Sequence, residues 1–282
     1  MYASKIENIL YINVKKRYTY IPIIALFLIT GCYTVPETGR TAIHLLPESQ
    51  LAGQAEESFN ELKQQNKISS DPTYNAAVQR VGKRIVEAAS STGSSISNSN
   101  WEFVVFEGDN QINAFAMPGG KVAIYTGMFR IIENDDQLAV VIGHEIAHVA
   151  ARHSNERLSQ ALLLQTGAKG LAIGTKEFKT DTQKAILNAY GIGTSIGLQL
   201  PFSRSNENEA DKIGLYYSSR AGYDPRQALV FWEKMQSFSR SNKPPEFLST
   251  HPNYKTRIDN LKEIMPKVLI EYERAKARAK VE

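Results

Sequence analysis

Cys32 is the single cysteine of the chain. One cysteine excludes an intramolecular disulfide framework. Excess charge is scarce too: 33 basic residues face 29 acidic ones, a net charge of +4. Most of that excess sits near the amino terminus, where Lys5, Lys15, Lys16 and Arg17 oppose Glu7. The remainder is close to balanced, so no nucleic-acid partner is expected. The apolar run near the amino terminus falls short of the ~20 residues a spanning helix needs. No internal repeat is visible. What remains is ordinary: 282 residues, 42% hydrophobic, 22% charged and 9% aromatic. That composition excludes a disordered, collagenous or multi-span membrane chain. The length suffices to bury a core without covalent staples.

Lys15, Lys16 and Arg17 precede an apolar run from Tyr18 to Thr30, and Ile29-Thr30-Gly31-Cys32 follows. A charged segment, a short apolar segment and small residues make up an export signal. Its end resembles the lipobox of bacterial lipoproteins. The resemblance implies cleavage before Cys32, acylation of Cys32 and anchoring by two or three acyl chains. Tyr33 after that cysteine implies outer-membrane rather than inner-membrane sorting. An uncleaved signal anchor is the competing reading. Residues 1–14 add nothing to the signal and read as a candidate mis-called start, with Val14 as the alternative first residue.

The mature chain reads as mostly helical with one small sheet, an α+β protein. Residues 33–47 read as an extended tether, and a polar helix is expected over Pro47 to Lys67. Asp71-Pro72 pairs a capping side chain with proline at the first helical position, so a helix begins there. Ser90 to Asn100 reads as a loop, and Trp101 to Glu107 as a strand. Two more strands, Ile112 to Met117 and Lys121 to Thr126, flank a Pro118-Gly119-Gly120 turn. Asp135 or Asp136 is the expected cap of a long helix ending near Arg152. Residues 161–200 suggest a glycine-diluted helical pair. Helices are expected over Asn206 to Arg220 and from Asp224-Pro225 to Phe238, with one or two more at the carboxyl end. The domain reading is 1–31 signal peptide, 32–47 tether, 48–265 main domain and 266–282 charged helix or tail.

The chemistry centres on His144-Glu145-Ile146-Ala147-His148. Helical positions four apart project from one face, so both imidazoles can share one Zn²⁺. Glu145, beside the first ligand, is placed to take a proton from water and pass it to a leaving amine. A catalytic zinc needs a third protein ligand. Glu207-Asn208-Glu209-Ala210-Asp211 supplies candidates, with Glu207 and Asp211 four apart on a second helix. Glu207 can bind the ion while Asp211 accepts a hydrogen bond from the far nitrogen of a ligand histidine. Glu209 points elsewhere and reads as a solvent-facing charge.

HEIAH, ENEAD and His251-Pro252 followed by Arg257-Ile258 together resemble the gluzincin metallopeptidases of the HtpX and CAAX prenyl protease type (peptidase family forty-eight, metallo type). Asn113-Ala114-Phe115 through Pro118-Gly119-Gly120-Lys121 and Gly127 fit the same pattern, and the likeness spans roughly Gln50 to Leu261. Within that family, the closest likeness is to periplasmic members bearing a lipobox. The resemblance implies one zinc per chain, held by His144, His148 and Glu207. It implies Glu145 as catalytic base and Asp211 as the residue orienting His144. The strand carrying Asn113, Ala114, Phe115 and Ala116 would be the edge along which an extended peptide lies. His251 stays open among three roles: oxyanion donor, occupant of the fourth zinc position, or structural cap. Arg257 is expected to fix its loop through a salt bridge or to assist near the site. His44 and His153 have no matching role and are expected to be solvated.

The expected activity is zinc-dependent endopeptidase action on envelope proteins, with quality control of outer-membrane proteins as the role implied by the resemblance. The alternative is a lipid-anchored chaperone or assembly factor with a latent metal site. A zinc hydrolase of non-peptide substrates is the third.

Overall fold

A computed structural model describes residues 31–91, 96, 99–169, 202–241, 244–251 and 254–280. All but the last residue of the expected signal peptide, 1–31, and most of the expected helical pair at 161–200 lie outside the described residues.

The chain enters through a hairpin, β1 (Cys32–Thr34) and β2 (Thr41–Ile43), in antiparallel register with Tyr33 opposite Ala42. Gly39 turns it at φ 73°. This corrects the expected tether. Val35 is fully buried and Ala42 and Leu46 nearly so, and that apolar burial docks the segment on the protein. His44 is half-buried and stacked on Tyr33 rather than solvated.

Helix α1 (Glu48–Gln65) buries the stripe Leu51, Ala55, Phe59 and Leu62. Helix α2 (Pro72–Ser90) starts as its sequence dictates: Asp71 accepts from the Thr73 and Tyr74 N–H groups at 2.7 and 3.2 Å. Its Val78, Val81 and Ile85 enter the main core.

The three-stranded sheet consists of β3 (Glu102–Phe106), β4 (Ala114–Met117) and β5 (Lys121–Tyr125) in the order β3-β5-β4. Central β5 is parallel to β3 and antiparallel to β4, with Phe115 opposite Ala123. Its five residues are all buried, as a strand covered on both faces requires. Strand β4 is therefore an edge, and it lies against the next helix.

A 3₁₀ turn (Thr126–Arg130) leads to α3 (Asp135–Ala150). Its cap is Asn134, which accepts from the Gln137 N–H at 2.9 Å; Asp135 and Asp136 instead occupy the first turn. Helix α4 (His153–Lys169) follows, then α5 (Arg204–Arg220) capped by Ser203, and α6 (Gln227–Ser241). A short α7 (Glu246–Thr250) precedes α8 (Tyr254–Arg278), one continuous helix with Pro266 inside it.

Helices α3 and α5 meet at a glycine pair. A Cβ on Gly143 would fall 2.8 Å from the Gly214 carbonyl oxygen, and one on Gly214 would fall 2.6 Å from the Gly143 carbonyl carbon. The Ser218 hydroxyl adds a bond to the Ala139 carbonyl at 2.8 Å. This backbone approach brings the HEIAH and ENEAD faces together.

Candidate metal centre

Helix α3 is buried along most of its length, so His144, Glu145 and His148 all lie inside the protein. Helix α5 supplies Glu207, fully buried, from its first turn and Asp211 one turn later. The residue after α7 supplies His251, 2% exposed. Ligand-capable atoms of His144, His148, Glu207 and His251 all lie within 4.8 Å of one another. His144 Nε2 is 3.0 Å from His148 Nε2 and 3.1 Å from His251 Nδ1. Glu207 Oε1 is 3.1 Å from His251 Nδ1 and 3.4 Å from His148 Nε2.

These spacings suit a small cation. Tetrahedral ligands at ~2.0–2.2 Å from an ion stand about 3.3–3.6 Å from each other. The site is a shade tighter. His144 Nδ1 donates to Asp211 at 3.0 Å, so Nε2 is the ring nitrogen that faces the cluster. Glu145 Oε1 is buried without a hydrogen-bond partner, 3.5 Å from His251 Nε2. Glu145, Glu207 and Asp211 are opposed by one buried guanidinium, formally two negative charges in excess, which suits a divalent ion.

That guanidinium belongs to Arg257 of α8, 0% exposed. It grips Asp211 through Nε and one terminal nitrogen, each at 2.6 Å, and its other terminal nitrogen reaches Glu207 Oε2 at 2.9 Å. The Trp232 ring lies 3.8 Å beneath it. Arg257 thus binds Asp211 and Glu207, two of the three carboxylates of α5, and also donates to the His251 carbonyl at 3.3 Å.

Burial and Arg257 both push His144 down, but Asp211 and Glu207 outweigh them and raise it to about 9. Burial dominates at His148 and holds it well below the usual imidazole value. Burial would raise Glu207, yet His251, Arg257, His144 and His148 keep it well below the carboxylate range. Asp211 is lowered against its own burial by Arg257 and His144.

Two sequence expectations are corrected here. His153 is 0% exposed, with Nδ1 2.9 Å from His148 Nδ1. Glu209 is 7% exposed and 3.0 Å from His153 Nε2. Glu209 does point away from the ion site, as helical geometry requires, but α4 and the hairpin cover that face. The sequence signal was a histidine five residues beyond the second ligand and a carboxylate two beyond the third. Gly143, Gly214, Thr38 and Arg40 also went unremarked in the sequence. Asn113 is buried and accepts from the Ala114 N–H, Ala114 and Ala116 are buried, and Phe115 is half-buried, all at edge strand β4 beside α3. Cys32 is exposed. No helix among the described residues is long and apolar enough to cross a membrane.

Comparison with known proteins agrees with this geometry. Residues 72–265 match the model of peptidase family M48. The mitochondrial metalloendopeptidase OMA1 of Schizosaccharomyces pombe is 34% identical over 78% of this chain and 62% of its own length. OMA1 of Saccharomyces cerevisiae is 36% identical over 70% of this chain and 58% of its own. The beta-barrel assembly-enhancing protease of Escherichia coli is 32% identical over 80% of this chain and 46% of its own. The chain thus spans between about half and three fifths of the length of these relatives. With the family model covering more than half of the sequence and the ligand-capable side chains converging, the chain belongs to peptidase family M48.

Proposed function

We propose that the protein is a zinc-dependent endopeptidase of the bacterial cell envelope. The observation that carries this is the buried His144, His148, Glu207 and His251 cluster with a carboxylate oxygen of Glu145 that makes no hydrogen bond beside it. His144, His148 and Glu207 would hold the ion. Bound there, Zn²⁺ would supply a Lewis acid and lower the pKa of an attacking water. Glu145 takes the proton of that water and delivers it to the leaving amine nitrogen. Asp211 fixes the His144 ring by accepting from Nδ1, and Arg257 fixes Asp211. An extended peptide pairs with the β4 edge by backbone hydrogen bonds, with Asn113, Ala114, Phe115 and Ala116 at the contact.

His251 would reach the same ion as a fourth ligand, and an enzyme so held would be latent until that side chain is displaced. The geometry favours that role over oxyanion donor, because Nδ1 faces the cluster at 3.1 Å from both His144 Nε2 and Glu207 Oε1. The same contact supports the second reading, an assembly factor with a latent metal site.

Acylation of Cys32 would place the domain on a membrane face, since the folded hairpin begins at that residue. The name of the Escherichia coli relative supports a role in β-barrel assembly, whereas the OMA1 relatives are named as mitochondrial. The test is zinc content together with casein cleavage, with and without a chelator. Stoichiometric zinc and chelator-sensitive cleavage are expected. Zinc without cleavage, also in His251→Ala, would favour the assembly factor.

A further inference from the structure

The contacts leading outward from His148 have no part in the reaction above. Behind the cluster, His148 Nδ1 faces His153 Nδ1 at 2.9 Å. His153 Nε2 faces Glu209 Oε2 at 3.0 Å. Glu209 also accepts from the Thr38 hydroxyl and, at 2.5 Å, from Arg40 Nε. The two terminal nitrogens of Arg40 grip Glu156 at 2.9 and 2.7 Å. Glu156 in turn accepts from the Asn206 side chain at 2.9 Å, one residue before Glu207. This path joins the hairpin, α4 and α5 to one metal-ligand candidate. Arg152, at φ 52°, makes the tight turn between α3 and α4 that brings His153 back beneath His148.

The hydrogens along this path follow from donor and acceptor counting. Glu209 has only lone pairs to offer, so the hydrogen between it and His153 sits on His153 Nε2. A neutral imidazole then has its lone pair on Nδ1. The hydrogen between the two rings must therefore sit on His148 Nδ1. That leaves the lone pair of His148 on Nε2, facing His144 Nε2 and Glu207 Oε1. The opposite tautomer would aim a hydrogen into the cluster.

Resting on the proposed metal site, we infer that His153 and Glu209 are positioning residues that fix the cation-binding tautomer of His148, and that Thr38 and Arg40 of the amino-terminal hairpin complete the relay. His144 receives the same service directly from Asp211. His148 has no carboxylate in that position and uses an imidazole–carboxylate pair in its place. The hairpin is then part of the metal centre's support.

The experiment measures zinc Kd on the full chain by competition with a chromophoric chelator. It is combined with the melting temperature of zinc-stripped protein and with kcat and KM on casein. His153→Leu removes the acceptor and should weaken zinc binding about 10–100-fold. His153→Asn keeps an oxygen near the Nδ1 position and should recover part of that loss. Glu209→Gln and Arg40→Ala should weaken binding in the same direction by less. KM should stay unchanged, and saturating zinc should restore much of kcat. Parent-like zinc affinity in both His153→Leu and Glu209→Gln would overturn the inference while leaving the metal site intact. Should His153→Leu fail to fold, Glu209→Gln and His153→Asn decide, and parent-like affinity in both overturns it. Absence of zinc from the parent chain itself would overturn the metal site and this relay together.

Discussion

Arg257 carries the heaviest electrostatic duty of any single side chain in the centre. Its guanidinium is wholly buried between Asp211, Glu207 and the Trp232 ring. Removing one partner of a buried ion pair leaves uncompensated charge and costs ~3–5 kcal/mol. Arg257→Ala should therefore lower the melting temperature sharply, and Arg257→Lys should rescue little, because an ammonium cannot make the two parallel bonds to Asp211. Differential scanning calorimetry of both variants checks this; a lysine variant as stable as the parent would contradict it. Glu145 is the opposite case, a buried carboxylate whose Oε1 serves no structural bond. Glu145→Gln should keep zinc and fold while losing about 10²–10⁴-fold in turnover. Metal analysis beside casein cleavage separates the two effects, and undiminished cleavage would remove Glu145 from the chemistry. His251→Ala should raise casein turnover, since it opens the fourth position. A fall of 10²-fold would instead make His251 an oxyanion donor.

At the scale of elements, the crossing of α3 and α5 sets the site. Glycine inside a helix costs roughly 1 kcal/mol relative to alanine, so Gly143 and Gly214 are expensive unless close packing repays them. The backbone approach between the two helices is that repayment. Gly214→Ala should destabilise by ~1–3 kcal/mol and weaken zinc binding, because the helices must separate while Glu207 and Asp211 ride on α5. Urea denaturation with a zinc titration reads both; a variant matching the parent in each would show that the crossing is not tight. Much of this element was legible. HEIAH and ENEAD each show a four-residue spacing, and the structure places both on helices that meet. The glycine one position before HEIAH carried the packing information, but a lone glycine in a helical pattern is also compatible with a plain surface helix. The caps show the same limit. Asp71 and Pro72 left no ambiguity, whereas Asn134-Asp135-Asp136 offers three adjacent capping residues, and only backbone geometry selects Asn134.

At the scale of the whole molecule, the amino-terminal hairpin is the feature that sequence hid. Residues 33–47 carry no long apolar run, and what docks them is Val35 and Ala42 together with tertiary bonds from Thr38 and Arg40. Partners far along the chain leave no local pattern, which is why Glu209, bound by Thr38 and Arg40 more than 160 residues away, and His153, whose carboxylate partner Glu209 lies 56 residues on, read as solvated. The docking has a pH signature. Burial raises Glu209, but His153, Thr38 and Arg40 overcome it and hold the group at about 2, against an ordinary value of 4.5. Burial likewise opposes Arg40 and Asn206 at Glu156, which is also lowered. A depressed folded-state carboxylate contributes stability above its unfolded value, lost as pH falls toward the folded one. Stability should thus decline from roughly pH 4.5 downward. Arg40→Ala should move the acid-unfolding midpoint to higher pH, as circular dichroism across an acid titration would show; an unmoved midpoint would mean that the hairpin contributes little.

The account rests on one ion held between α3 and α5, and an anomalous difference map at the zinc edge tests it most directly. A single strong peak is expected within bonding distance of His144 Nε2, His148 Nε2 and a Glu207 oxygen, with His251 Nδ1 as the fourth neighbour. A zinc-loaded crystal with no peak there, or with its peak at other residues, would contradict it.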